Sequence, residues 1–163
     1  MNINRPLIQT LSWLAVLLWM LAIYLLSAQP AGLSNANSKG IVTRVVDTTV
    51  KLTKAKITEP QKLELIERIN SVAREYMHGV VFLVLGLLAQ NAAAQSGARG
   101  MKAIAISLAI CVAYAVTDEI HQLYVPGRAF QVSDIAMDAV GSMMGIGLVY
   151  CIRNRIRNRV RVN

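Results

Sequence analysis

Long apolar runs alternate with polar segments along this chain, and four of the runs predict membrane-spanning helices. A span needs about 20 apolar residues to cross a hydrocarbon core of roughly 30 Å. No charged residue occurs between Arg5 and Lys39, so the first run is the clearest. The runs place the predicted spans at about 7–28, 76–95, 101–122 and 134–152. We therefore predict an all-α fold, an integral membrane four-helix transmembrane bundle that forms one domain over residues 1–163.

The third and fourth runs are short, and their shortness places acidic residues inside helices. The stretch from Ala103 to Thr117 has only 15 uncharged residues, and the stretch from Ala139 to Ile152 has only 14. Both helices must extend into the polar sequence between them to reach spanning length. This extension puts four carboxylates at the ends of spans: Asp118, Glu119, Asp134 and Asp138. Charged groups are costly in hydrocarbon, so their presence predicts a function or a tight internal partner.

The outer loop, residues 29–75, is too long for a simple connection and predicts two amphipathic helices. A short first helix is predicted from apolar residues at Ile41, Val45, Val46, Val50 and Leu52. The segment Thr58 to Gln61 has the pattern of a capping box with a proline in the first turn. A second helix is predicted to begin there and to run into the second span. Both helices can lie on the outer membrane surface.

The distribution of basic residues predicts the orientation in the membrane. The chain carries a net charge of +8, and its basic residues are not interleaved with aromatic residues, which argues against nucleic acid as a partner. Five arginines directly follow the fourth span, at positions 153, 155, 157, 159 and 161. The positive-inside rule makes that face cytoplasmic, so both termini are predicted to be cytoplasmic. The outer loop carries eight basic residues, but most of them are far from the span ends.

Four helix ends meet on one side of a four-span bundle, and in this chain all four ends carry polar residues. Together with Arg128 of the last loop, these residues are Ser27, Gln29, Arg74, His78, Asp118, Glu119, His121, Gln122, Asp134 and Asp138. On the fourth helix, Asp134 and Asp138 share one stripe with Gly141 and Gly145. The two glycines permit close helix approach, so this stripe is predicted to face the bundle interior.

We predict a ligand-binding site at this end of the bundle. Its predicted residues are Arg74, His78, Asp118, Glu119, Gln122, Arg128, Asp134 and Asp138. A structural alternative is that Arg74 and Arg128 neutralise the acids in ion pairs that fix the bundle. Two arginines do not neutralise four carboxylates, so the excess implies protonation, a bound cation or a cationic ligand group.

The residue types at this end suit more than one chemistry. Histidine and carboxylates are metal ligands, but the chain has no HExxH or similar spacing, so we predict no metal and no cofactor. Arginines with a general acid or base are typical of phosphate or polyprenyl-phosphate sites, and Arg74, Arg128 and His78 match that set.

At these residues the chain resembles the VanZ-like family. The resemblance rests on the segment Tyr114–Gln122, then Pro126-Gly127-Arg128, then Asp134, Asp138 and Gly141. A motif that opens the second span is similar as well, from Arg74 to His78, although Glu75 replaces the usual lysine and Phe82 stands where a tyrosine is common. The resemblance covers most of the chain, from Trp13 to about Gly147.

The resemblance implies a protein of the bacterial inner membrane. The founding member of the family is associated with resistance to teicoplanin, a lipid-bearing glycopeptide that attacks cell-wall precursors outside the membrane. An outward-facing polar pocket is therefore expected to bind a membrane lipid or a lipid-linked or phosphorylated precursor of the cell envelope. The alternatives are a membrane enzyme acting on such a lipid, with His78 or an acid as proton donor, a small proton-coupled transporter or flippase, and a structural partner of another membrane protein.

Overall fold

A computed structural model describes the backbone of residues 4–162 and the side chains of residues 5–159 apart from residue 75. The side chains of Glu75 and Arg161, named above, lie outside the described residues. The described chain forms five α-helices and no strand, which confirms the predicted all-α fold. They are α1 Asn4–Ser27, α2 Ala31–Thr53, α3 Glu59–Gln95, α4 Met101–Gln122 and α5 Val132–Val162.

Four of these helices are long and apolar enough to cross a membrane, and they fall where the four spans were predicted. They comprise Arg5–Ser27, Glu59–Gln95, Met101–Gln122 and Val132–Arg159. Helix α4 continues through Asp118 and Glu119, and α5 begins two residues before Asp134, as the short apolar runs required. Helix α5 also continues past 152 into the arginine-rich tail, so the tail extends the helix and is not a separate segment.

The centre of the bundle is a small apolar core with polar groups tied across it. Val16, Phe82, Leu85 and Cys111 are almost completely buried against one another. Bulky aromatic residues around this core satisfy their polar atoms on backbone carbonyls. For example, the hydroxyl of Tyr114 donates a 2.5 Å hydrogen bond to the carbonyl oxygen of Met20, which fastens α4 to α1. Such internal partners are needed in a span because lipid offers none.

Helices α3 and α5 touch backbone to backbone, because glycines line both sides of their contact. A Cβ atom placed on Gly141 would overlap the carbonyl of Gly79, and one on Gly145 would overlap the carbonyl of Leu83. A Cβ on Gly86 would likewise overlap the carbonyl of Ser142. The predicted role of Gly141 and Gly145 in close helix approach is confirmed. The contact positions the site, because His78 lies one residue before Gly79 and Asp138 lies one turn before Gly141.

Outside this bundle, α2 folds back along the first half of α3. Val42 and Val46 pack against Ile66, and Lys62 forms a 2.6 Å ion pair with Asp47. The second helix of the outer loop begins at Glu59 behind the Thr58 capping box and runs without a break into the second span, as predicted. The first is much longer than the short helix that was predicted, because it starts directly after Pro30 and has 23 residues.

Candidate functional site

A polar cavity of about 730 Å³ lies at the end of the bundle where α1 and α4 finish and α5 begins. We call it the site cavity. The side chains of α3 form one wall, and the start of α2 and the loop between α4 and α5 form others. Seven of the polar residues that were predicted to meet at this end of the bundle line the cavity: Ser27, Gln29, Arg74, His78, Gln122, Arg128 and Asp134.

The structure divides the eight predicted site residues into two groups. Five of them line the site cavity: Arg74, His78, Gln122, Arg128 and Asp134. The other three, Asp118, Glu119 and Asp138, are buried behind the lining, with exposed fractions of 3%, 0% and 0%. All eight therefore lie at one end of the bundle, but three of the four carboxylates lie behind the layer that holds the arginines and Asp134.

Asp118 is held by two hydrogen bonds that end on the same carboxylate oxygen. The hydroxyl of Ser27 donates to Oδ2 over 2.9 Å, and the side-chain amide of Gln122 donates to Oδ2 over 3.1 Å. The second bond joins neighbours one helical turn apart on α4. The first joins the last residue of α1 to α4. These bonds fix the orientation of Asp118 from two helices.

Glu119 and Asp138 are buried with oxygens that have no hydrogen-bond partner among the described residues. The backbone N–H of Gln131 donates to Oε2 of Glu119 over 2.8 Å, but Oε1 has no partner. Neither carboxylate oxygen of Asp138 has one, and Nδ1 of His78 lies 3.8 Å from its Oδ1. A buried polar atom without a partner costs free energy, so these oxygens call for an explanation.

The arginines do not neutralise the buried acids. Of the described side chains, no carboxylate lies within 4.0 Å of Arg74 or Arg128. Arg74 donates to the side-chain oxygen of Asn35 over 3.1 Å, and Arg128 donates weakly to the carbonyl of Gln29 over 3.4 Å. The structural alternative, in which ion pairs to these arginines satisfy the acids, therefore has no support in the geometry.

Helix α2 supplies part of the cavity that the sequence did not predict. Ser34 and Ser38 of α2 line it together with Ser71 of α3. The start of α2 is fixed to the last loop, where the N–H of Ala31 donates to the carbonyl of Pro126 over 3.2 Å. Gly127 adopts a φ of 76° beside Ala31, a conformation that glycine reaches without strain. The Pro126-Gly127 turn thus closes the cavity against α2.

His121, the second histidine of the chain, does not join the site. Its ring packs against that of Tyr24 with the centroids 4.5 Å apart, and it does not line the cavity. It shares α4 with Asp118 and Glu119 but points to a different side of the helix. The chain thus has one histidine at the site and one outside it.

A family comparison completes this description. The family model described as VanZ/LLP1 matches residues 12–153, which is most of the chain. The chain belongs to the VanZ-like family. It matches no solved structure and no curated protein. In this VanZ-like protein the segment that carried the resemblance, Tyr114–Gln122, supplies two of the three buried carboxylates and the glutamine that holds Asp118.

Proposed function

We propose that this VanZ-like protein binds the phosphorylated headgroup of a membrane lipid or a lipid-linked envelope precursor in the site cavity. The observation that carries the proposal is the pair of arginines lining the cavity without a carboxylate partner in the described residues. Arg128 is partly buried and Arg74 is exposed, and a phosphate can accept two parallel hydrogen bonds from a guanidinium group.

The two arginines approach the cavity from different elements, as a clamp on one anion requires. Arg74 comes from the middle of α3, and Arg128 comes from the loop that precedes α5. Hydroxyl groups of Ser34 and Ser71 lie around the same space and can donate to further phosphate oxygens, whereas the hydroxyl of Ser38 already donates to Asn70. A cavity of about 730 Å³ is within the range of small-molecule sites.

Apolar residues on the cavity wall favour a lipid over a free phosphate. Ile23 and Leu26 of α1 and Met77 and Val81 of α3 line the cavity beside the polar groups. Leu26 and Met77 are each 54% exposed, so the apolar wall continues to the outer surface of the bundle. An acyl or polyprenyl chain could lie along this wall while its phosphate enters the cavity.

The proposed orientation places the site cavity outside the bacterial inner membrane, with both termini in the cytoplasm. Arg5, Arg99, Arg153 and Arg157 gather at the opposite end of the bundle, where they line a second cavity of about 820 Å³. We call this the arginine cavity. The positive-inside rule favours the cytoplasm for that end, because these residues directly adjoin the ends of spans.

A role in glycopeptide resistance is part of the proposal and rests on family membership. If the protein protects or modifies access to lipid-linked precursors, its expression should raise the teicoplanin concentration needed to inhibit growth. A glycopeptide without a lipid tail is the matched control. Equal sensitivity of expressing and non-expressing cells to both drugs would remove resistance from the proposal and leave lipid binding untouched.

Lipid binding is tested with the purified protein in nanodiscs. Discs of phosphatidylcholine that contain about one tenth polyprenyl phosphate are compared with discs of phosphatidylcholine alone, and bound lipid is identified by native mass spectrometry. Wild-type protein should retain the phosphorylated lipid, and Arg128→Ala should lose about tenfold in affinity. Arg44→Ala is the matched control, since Arg44 is exposed on α2 and does not line the cavity. Equal retention by Arg128→Ala and wild type would contradict the proposal.

A further inference from the structure

We infer that His78, Asp118 and Glu119 bind a divalent transition-metal ion, of the Zn²⁺ or Mn²⁺ class, behind the lining of the site cavity. One ligand atom of each residue lies within 4.8 Å of those of the other two. Ligand atoms of one such ion lie about 3 to 4 Å apart, because each bond measures about 2.0 to 2.2 Å. Small side-chain rotations would bring these three atoms to coordinating distance.

The unpartnered oxygens give a second and independent reason to place a cation here. Oε1 of Glu119 and both carboxylate oxygens of Asp138 are buried without a hydrogen bond in the described part of the chain. Both residues have an exposed fraction of 0%. A bound cation would satisfy the free oxygen of Glu119 and offset the charge of Asp138 beside it, whereas a merely packed carboxylate would normally have found a backbone or side-chain donor. The oxygens left without donors lie in the same layer as the three proposed ligands.

The surrounding hydrogen bonds leave the carboxylates ready to coordinate. Ser27 and Gln122 both bond to Oδ2 of Asp118, and Gln131 bonds to Oε2 of Glu119. In metal sites the coordinating carboxylates are held in this way by outer partners, which fix their orientation. The outer partners are therefore in place on two of the three ligands.

Asp138 has a separate part in the site as a positioning residue. Its Oδ1 lies 3.8 Å from Nδ1 of His78, and the glycine contact between α3 and α5 fixes their approach. Histidines that bind metals usually direct the second ring nitrogen towards a carboxylate. Asp138 would orient the ring of His78 and add negative charge near the ion.

The donor set and its charge favour a divalent transition metal. An imidazole nitrogen suits zinc and carboxylates suit manganese, whereas calcium and magnesium prefer sites built entirely from oxygen. Three carboxylates lie together here, and within the described side chains no lysine or arginine is within 4.0 Å of them. A divalent ion would offset most of that charge. No local sequence motif indicated the site, because one ligand lies on α3 and two lie on α4, while Asp138 lies on α5.

The test uses tag-free protein in mild detergent, stripped with EDTA and titrated calorimetrically with Zn²⁺ and with Mn²⁺. We expect one ion per chain for at least one of the two metals and a rise of about 5 °C in Tm on saturation. His78→Ala and Asp118→Asn should each weaken binding by about tenfold or more. His121→Ala is the matched control, because it removes the other histidine of the chain and should leave binding unchanged.

The inference does not depend on the lipid proposal, since the metal is titrated without added lipid. Asp138→Asn tests the positioning role and should lower metal affinity less than His78→Ala does. Glu119→Gln keeps the shape of a buried side chain while removing its charge, so it should remain folded and still weaken metal binding by about tenfold or more. Two results would overturn the inference. One is that the wild-type protein binds neither Zn²⁺ nor Mn²⁺ at about 1 mM. The other is that binding survives in both His78→Ala and Asp118→Asn.

Discussion

The two ends of the bundle have cavities of similar size lined by arginines, yet their surroundings differ. The arginine cavity, about 820 Å³, is lined by four arginines with asparagine, glutamine and apolar residues, and none of its described lining residues carries a carboxylate. The site cavity, about 730 Å³, has two arginines in front of three buried acids. The comparison shows that arginines at the ends of spans can have different roles. Its role depends on whether acids are buried nearby.

At the arginine cavity, charge alone is enough to account for the residues. Arg153 bonds to the side chain of Asn91 over 3.1 Å, and Arg157 bonds to that of Asn154 over 2.8 Å. The first contact joins α5 to α3 and the second lies along α5, and both are exposed to solvent. At the site cavity, burial and geometry matter as well, because Asp118, Glu119 and Asp138 are withdrawn from solvent. We therefore expect that only the positive charge of a side chain matters at the arginine cavity, and that its shape and hydrogen bonds matter as well at the site cavity.

The largest difference should appear in membrane sidedness. In a background without Cys111 and Cys151, Ala129→Cys should react with an impermeant thiol reagent in intact spheroplasts, because it lines the proposed outward cavity. Asn158→Cys, at the arginine end, should react only after lysis. We expect at least about a tenfold difference in labelling between the two sites. Labelling of Asn158→Cys in intact spheroplasts would invert the proposed orientation.

The next largest effect should come from the contact that holds the site cavity together. Gly141→Ala places a methyl group against the carbonyl of Gly79 and should lower the free energy of unfolding by about 3 kcal/mol. Gly147→Ala, on the same helix, meets open space and should be neutral or stabilising by up to about 1 kcal/mol. Thermal unfolding in detergent measures both. Equal destabilisation by the two variants would show that helix propensity, not backbone contact, governs the effect.

A conservative exchange of arginine for lysine should separate the two cavities. Arg128→Lys should lower the affinity for phosphorylated lipid by about tenfold, since an ammonium group cannot form two parallel hydrogen bonds to a phosphate. Arg153→Lys should change neither lipid affinity nor sidedness, because a positive charge is all that end requires. The nanodisc assay and the labelling assay provide the two measurements. If Arg128→Lys bound the phosphorylated lipid as tightly as wild type while Arg128→Ala did not bind it, Arg128 would serve only to balance charge.

The smallest expected effect concerns the wall that α2 contributes. Asn35→Ala removes an acceptor used by Asn70 over 2.8 Å and by Arg74 over 3.1 Å, at a cost of about 1 kcal/mol. It should also weaken lipid binding slightly, because Arg74 loses its support. Asn37→Ala, exposed on the same helix, is the control and should leave both quantities unchanged. If Asn37→Ala matched Asn35→Ala, the hydrogen-bonded contact between α2 and α3 would have no special importance.

The spans and the position of the acids within helices could be predicted from the sequence because both follow from length. A run of 15 uncharged residues cannot cross a bilayer, so Asp118 and Glu119 had to belong to the helix. Likewise, Gly141 and Gly145 share a stripe with Asp138, and all three are buried. Periodicity and span length are local properties, which a single sequence records directly.

The wall formed by α2 and the separation of arginines from acids could not be predicted in this way. Gly79 and Gly86 meet α5 through a contact that depends on the relative position of two distant helices. The donor to Glu119 is the backbone of Gln131, and a backbone group leaves no signal in the sequence. The ion pairs considered as an alternative for Arg74 are not formed among the described residues, and its guanidinium instead donates one hydrogen bond to Asn35, in the part of α2 that was not predicted.

The continuity of α3 has a mechanical consequence. The helix has 37 residues and is about 55 Å long, whereas the hydrocarbon core is roughly 30 Å thick. No proline or glycine occurs between Pro60 and Gly79 to provide a hinge. The half of α3 that projects from the membrane packs against α2, and one unbroken helix joins it to His78. A macromolecule that moved this projecting half would change the spacing of the site without entering the cavity.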